Sequence, residues 1–225
     1  MSLLKRFAAM LPISWQHELR RRHFQREIRR GHFYTDEKEY ALLDTLLGQG
    51  DWALDIGANV GQYTLRMAEL VGPSGRVVAL EPVPDTFSLL AANARLFAHA
   101  NVSVLNVAAS DRVAIATMQI PRFASGLSNY YQARLSAGSG GLAVLTISID
   151  GLSLPPVRLV KIDVEGHELP ALRGMRGLLA RDHPVLIVET DSRETMSFLG
   201  GLDYTFERLP GSSNLLCRPL TPEMA

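Results

Sequence analysis

From Asp51 onward the chain alternates short apolar runs with segments of helical spacing. "WALDI" (Trp52–Ile56) reads as a buried strand, and "GQYTLRMAELV" as a helix with Tyr63, Met67 and Leu70 on one face. "RVVALEP" is a second strand, stopped at Pro82. "PDTFSLLAANARLFAHA" is a second helix, carrying Phe87, Leu90, Ala94 and Phe97. "VSVLNVA" reads as a third strand. "VAIATMQIP" and "LAVLTISID" then follow as two strands with no helix between them. The stretch that separates them, within 121–141, is rich in Gly and Ser and is expected to be a mobile insertion near the site. The alternation resumes with "VRLVKID", the helix "HELPALRGMRGLLARD", the strand "PVLIVET" and the short helix "SRETMSFLGGL". "YTFERL" and "NLLCRP" close the chain as two strands around a "PGSS" turn. This order specifies an α/β fold with a largely parallel sheet and right-handed crossovers. The final pair, joined by a short turn, must be antiparallel.

In an open α/β sheet, ligands bind beyond the carboxyl ends of the strands. "LDIGANVGQYT" leaves the first strand there and opens the first helix. Gly57 and Gly61 let a ligand approach the backbone, and Asn59 tolerates a left-handed conformation. Asp55, at the strand end, suits a ligand with a positive amino group and would repel a pyrophosphate. Glu81 ends the second strand and can accept hydrogen bonds from both hydroxyls of a ribose. The dinucleotide fingerprint G-x-G-x-x-G is not met. A nucleoside bearing an amino acid fits the pair better, and S-adenosylmethionine is such a molecule. The plainer reading makes Asp55 a helix cap and Glu81 an exposed strand end. After the third strand, Ser110 and Asp111 could meet an adenine edge, although Asp111 reads equally well as a turn former.

With these residues in order, the chain resembles the FkbM family of S-adenosylmethionine-dependent methyltransferases. The resemblance covers roughly Thr35 to Pro219. It rests on "DIGANVGQYT", "ALEPVP", "NVAASD", "LVKIDVEGHE", "VLIVET" and "NLLCRP". It implies a class I methyltransferase (Rossmann-like) fold: a seven-stranded, mostly parallel sheet with an antiparallel last strand and helices on both faces. It also implies methyl transfer to oxygen, commonly on sugars or complex natural products. By the same resemblance, Asp55, Gly57, Asn59 and Gly61 form the methionine-binding turn, Glu81 holds the ribose, and Ser110 and Asp111 meet the adenine.

"LVKIDVEGHEL" brings Asp163, Glu165, His167 and Glu168 within six positions. A sugar hydroxyl is a poor nucleophile, so its proton needs an acceptor. Asp163 and Glu189, at neighbouring strand ends, could face one pocket, and His167 is the natural base near neutral pH. Asp163, Glu165, His167 and Glu189 are therefore the candidate catalytic residues. Asp163, Glu189 and Asp191 could instead offer hard oxygen ligands to Mg²⁺ or Ca²⁺, but two strand-end acids are no specific metal signature, and no metal is expected. Glu165 and Glu168 could equally do no more than start a helix. Lys161 is expected to pair with a neighbouring acid. The rival functions are N-methyl transfer on the same fold and a non-catalytic, membrane-associated cofactor-binding module.

Cys217 is the only cysteine of the 225 residues, which excludes an intramolecular disulfide and suits a cytoplasmic setting. No apolar run approaches the ~20 residues that span a bilayer, and the first residues make a poor signal peptide. Net charge is zero but unevenly spread: residues 1–34 carry eight Lys and Arg against two Glu, leaving the remainder at −6. Residues 1–34 are thus expected to be a basic helical arm on a methyltransferase domain spanning 35–225. Leu4, Phe7, Ala8 and Leu11 share a helical face that could lie in an interface. An anionic membrane surface is a natural partner for such an arm, with solvation of a docked helix as the plainer account. The acidic body argues against nucleic acid. The acceptor is expected to be a small molecule or saccharide.

Overall fold

The computed structural model describes residues 11–123, 126–136 and 140–220. The interfacial face expected at Leu4, Phe7 and Ala8 lies outside these residues. Helix α1 (Ile13–Arg30) and helix α2 (Lys38–Leu46) precede the first strand. The alternating core then runs β1 (Trp52–Ile56), α3 (Gln62–Val71), β2 (Arg76–Leu80), α4 (Pro84–Ala94) and β3 (Val102–Leu105). After an intervening region it continues with β8 (Leu159–Ile162), α5 (Glu168–Arg173), α6 (Arg176–Asp182), β9 (Val185–Glu189) and α7 (Arg193–Gly200). The strands β10 (Tyr204–Arg208) and β11 (Asn214–Pro219) end it.

These strands form one seven-stranded sheet in the order β10-β11-β9-β8-β1-β2-β3. Strands β3, β2, β1, β8 and β9 run parallel, and β11 lies antiparallel between β9 and β10. The central strands are buried on both sides, as their unbroken apolar runs require. Leu54, Ile56, Val160, Ile162, Leu186 and Val188 face α5, α6 and α7. Ala53, Val77, Leu159, Ile187 and Leu216 face α2 and α3 on the other side. Helix α1 packs beside α4, with Phe24 and Ile28 against Phe33, Val60 and Leu89. Among the described residues no helix is long and apolar enough to cross a membrane.

Three local expectations differ from the structure. "VSVLNVA" is not one strand: β3 stops at Leu105, and β4 (Ala108–Ala109) joins a second sheet. That sheet adds β5 (Ala114–Gln119), β6 (Arg134–Ser136) and β7 (Leu142–Ile147) in the order β4-β7-β5-β6. The described part of 121–141 therefore supplies strand β6 and a bridge between Arg122 and Ser128. Second, the helix after β2 ends at Ala94 and buries Thr86, Leu89, Leu90 and Asn93, leaving Phe87 half-buried.

Third, "HELPALRGMRGLLARD" forms two helices, α5 and α6, with the break at Gly174. A Cβ on Gly174 would lie 1.8 Å from the Ser110 carbonyl oxygen. The Gly174 carbonyl accepts from the Asp150 amide at 2.9 Å and from Ser148 Oγ at 2.7 Å. The chain thus trades helix continuity for contact with the second sheet's connections. Replacement of Gly174 by Ala is expected to cost about 1–3 kcal/mol through this overlap. Gly200→Ala, where a Cβ meets open space, should be neutral to within ~1 kcal/mol. Thermal denaturation of the two variants side by side checks the contrast.

Candidate active site

The carboxyl ends of β2, β1, β8 and β9 lie side by side, and the parallel register sets their last side chains in one row. Asp55 pairs in register with Lys161, which pairs with Ile187. These residues project to the α3 face, the side opposite Ile162, as expected for Lys161. Two adjoining cavities open above the row. The larger, of about 230 Å³, runs from Val83 and Val107 past Glu81 to Asp163, His167 and Glu189. The smaller, of about 90 Å³, lies under the glycine turn, between Thr35, Asp55, Gln62 and Lys161.

Gly57 makes the junction of β1 and β8 possible. Its φ is +82°, and a Cβ there would lie 1.8 Å from the Asp163 carbonyl oxygen. The Asp163 amide in turn donates to the Ile56 carbonyl at 3.0 Å. Asn59 sits left-handed at φ 49°, as its residue type allows. Gly61 stands at the start of α3.

Glu81 is buried, and the backbone fixes both its oxygens. Oε2 accepts from the Asn59 amide at 3.0 Å and Oε1 from the Val83 amide at 2.9 Å. Burial pushes its carboxyl up to about 7, against the pull of these two amides. Each oxygen keeps a free lone pair, so two vicinal hydroxyls could be received together. Leu80, Val83, Val107 and Met118 give apolar walls beside it. Ser110 and Asp111 do not line this cavity. Val107, Ala108 and Ala109 do, because the chain turns away toward the second sheet at Ala108.

Asp55 is fully buried. Thr64 Oγ1 donates to its Oδ2 at 2.5 Å, while Oδ1 has no protein partner. Glu37, from the turn before α2, lines both cavities and accepts from Tyr63 Oη at 2.6 Å. With Asp163, these acids make the smaller cavity receptive to a cationic amino group. The amino-terminal end of α3 beside them suits a carboxylate. The two cavities together thus fit S-adenosylmethionine: walls for a purine, Glu81 for a ribose, and acids with a helix end for the amino acid. The expectations from the sequence do not place Glu37, Tyr63 or Val107 at the site.

In the smaller cavity, where Asp163 borders both, Lys161 Nζ stands 3.0 Å from Asp163 Oδ2 and 4.6 Å from the centre of the Tyr63 ring. Burial opposes the lysine's charge, but Asp163 and Asp55 outweigh it and hold the ammonium above its ordinary range. Burial also opposes charge on Asp163. Lys161 and a hydrogen bond with Glu189 overcome that and hold Asp163 below the usual carboxylate range. Glu189 is driven the other way, up to about 7, by burial and by that same hydrogen bond. Ser213 Oγ donates to Glu189 Oε1 at 2.8 Å. Of the two neighbouring acids, Asp163 is thus the one favoured as the carboxylate and Glu189 the one poised near neutrality.

The rest of the acidic stretch divides. Glu165, left-handed at φ 50°, is exposed at the rim. Oxygens of Asp163, Glu165 and Glu189 come within 4.8 Å of one another, but Asp191 is held away by Arg208 at 2.7 Å. The ligand set Asp163, Glu189 and Asp191 is therefore not assembled. His167 lines the cavity, is pushed down by burial, and spends Nε2 on Ser110 Oγ at 3.0 Å. Glu168 Oε1 accepts from the Gly166 amide at 2.8 Å, which makes it a buried element of the turn.

A sequence model of the Methyltransferase FkbM domain matches residues 55–209. The hexuronic acid methyltransferase AglP of Haloferax volcanii is 29% identical over 143 residues, which cover 62% of this chain and 56% of that protein. A protein-L-isoaspartate O-methyltransferase of Methanothrix thermoacetophila is 38% identical over 64 residues, covering 28% of this chain and 30% of that protein. The chain thus spans about half or less of the length of these curated relatives. The fold matches a methyltransferase FkbM from Methylobacillus flagellatus with a TM-score of 0.55 at 17% identity, over 78% of this chain and 47% of that one. It also matches a cofactor-bound protein from MTB with a TM-score of 0.52 at 18% identity, over 96% and 86%. With the strand order and a family match over most of the chain in agreement, the protein belongs to the FkbM methyltransferase domain family.

Proposed function

We propose that this protein is an S-adenosylmethionine-dependent methyltransferase that acts on a hydroxyl oxygen of a saccharide. The observation that carries this reading is the Asp163–Glu189 pair at the cavity end, with one acid held ionised and the other poised near neutrality. S-adenosylmethionine, when bound, supplies a methyl group on a sulfonium that leaves readily. The chain must then place the acceptor oxygen in line and give its proton a destination. Asp55, Glu37 and the start of α3 would hold the amino acid end, and Glu81 the ribose. Asp163, fixed by Lys161, orients an acceptor hydroxyl. Glu189 in its ionised form takes the hydroxyl proton, because a base poised near the working pH transfers protons best. His167 is neutral near pH 7 but has committed Nε2 to Ser110, so its role is to position the wall. The similarity to a hexuronic acid methyltransferase supports a saccharide acceptor.

Five carboxylates line the larger cavity, Glu37, Glu81, Asp163, Glu165 and Glu189, with no lysine or arginine among the described lining residues. Such a wall repels an anionic acceptor. A neutral or amino-bearing saccharide suits it better than an acidic one. Comparison of kcat/KM for a neutral glycoside and its uronate counterpart should favour the neutral form by about tenfold or more. An amine as the methylated atom would shift the product, and product mass spectrometry distinguishes N- from O-methylation.

The proton assignment sets the pH profile. Glu189 must be ionised, so kcat at saturating S-adenosylmethionine should rise with pH and level off above about 7. Glu189→Gln should remove that limb and lower kcat by about 10²–10⁴-fold. A profile unchanged by this substitution would assign the base elsewhere. Lys161→Met removes the only cation from a buried group of acids. It should raise the apparent pKa of the limb and cost about 3–5 kcal/mol of stability, read as a lower Tm.

A further inference from the structure

Helix α1 has two unlike sides. The inner side, with His17, Arg20, Phe24 and Ile28 at helical spacing, is seated on the body. His17 Nε2 lies 3.0 Å from the Asp85 carbonyl and 2.8 Å from Ser88 Oγ. The Arg20 guanidinium stands 5.0 Å from the ring centre of Tyr130. Tyr130 donates to Asp85 Oδ2 at 2.7 Å and lines the larger cavity. The helix therefore touches the cavity wall through one tyrosine.

Among the described residues, the outer side is exposed. Trp15 is 64% exposed and Leu19 48%, and Arg22 and Arg26 continue the same stripe at i+7 and i+11. Arg21 and Arg22 share Glu18, at 2.8 and 2.7 Å. Arg26, Arg29 and Arg30 are exposed and make no ion pair among the described residues. A solvated face has no need of a tryptophan and a leucine one turn apart. An aromatic anchor followed by cations is what a helix lying on a bilayer presents, with the ring at headgroup level and the cations over anionic lipid. The remainder of the chain is acidic, so a polyanion able to wrap the protein would meet repulsion, whereas a planar surface engages one side alone.

We propose that the outer face of α1 seats on an anionic lipid surface, with the Tyr130 rim of the cavity on the helix's other side, one helix diameter (~10 Å) from the bilayer. An acceptor displayed at that surface would then be within reach. This last consequence rests on the methyl-transfer reading, while the docking itself does not.

Co-sedimentation of the full chain with vesicles tests the docking without any turnover. The protein should pellet with mixed phosphatidylglycerol–phosphatidylcholine vesicles, not with phosphatidylcholine alone, and raised salt should release it. R26A/R29A/R30A should weaken binding about fivefold for each lost cation, roughly a hundredfold together. W15A/L19A should weaken it by about tenfold or more. All five positions are exposed and outside the reaction machinery, so Tm and turnover of a soluble acceptor should be unchanged in both variants. Equal pelleting with neutral vesicles, or undiminished binding by both variants, would overturn the proposal. So would tighter binding to an RNA oligonucleotide than to anionic vesicles, since that assigns the face to nucleic acid.

Discussion

The ammonium of Lys161 is buried in the middle of the sheet, and only the carboxylates around it make that tolerable. Moving a lone cation to such a place costs several kcal/mol, and the cost is offset only by close, well-oriented partners. Asp163 at 3.0 Å is the nearest, and Asp55 adds its field through the neighbouring strand. Keeping Asp163 ionised has an effect one strand further on, where it helps push the carboxyl of Glu189 up to about 7. Asp55 ends β1, Lys161 and Asp163 stand at the end of β8, and Glu189 ends β9, so the charges lie in strand order. Parallel register therefore carries an electrostatic gradient across the floor of the site.

Much of this was legible in the sequence, and the reasons are specific. Short β-branched and apolar runs that end in an acid, such as "LVKID" and "PVLIVE", read as doubly covered strands, and the structure places them in the centre of the sheet. The glycine turn and Glu81 were readable because each is adjacent in sequence to the strand that positions it. Ser110 and Asp111 were placed at the adenine edge by adjacency to a strand that stops five residues before Ser110, at Leu105. The second sheet explains that difference. Its strands β4 and β7 draw the chain away, and the pairing of Ala108 with Thr146 has no local signature. Glu37 escaped for a similar reason. It reaches the site across a separation of 26 residues from Tyr63, which periodicity cannot register.

The division of roles within "VEGHE" shows where residue type stops being informative. Glu165 and Glu168 are chemically equivalent in the sequence. A left-handed turn at Glu165 and Gly166 sends one side chain to the rim and folds the other back onto an amide. His167 looked the most natural base, yet its ring is occupied by Ser110 across the break that Gly174 permits. A close backbone approach far along the chain thus fixes the partner of His167 Nε2, which is why Glu189 is the proposed proton acceptor.

Strand β11 lies between β9 and β10 although it is the last of them in the chain. During synthesis, β9 therefore emerges with one full row of amides and carbonyls open, and β10 has no neighbour to pair with. Only when Asn214–Pro219 clears the ribosome can the gap close. Glu39 of α2 then receives Ser212 and Asn214, fastening the early part of the chain to the late one. Domains usually fold from the amino-terminal side as they are made. Here the nascent chain carries an exposed apolar edge, Leu186 to Val188, until Asn214–Pro219 has emerged. Over that interval, protection against sticking to other chains has to come from outside the molecule.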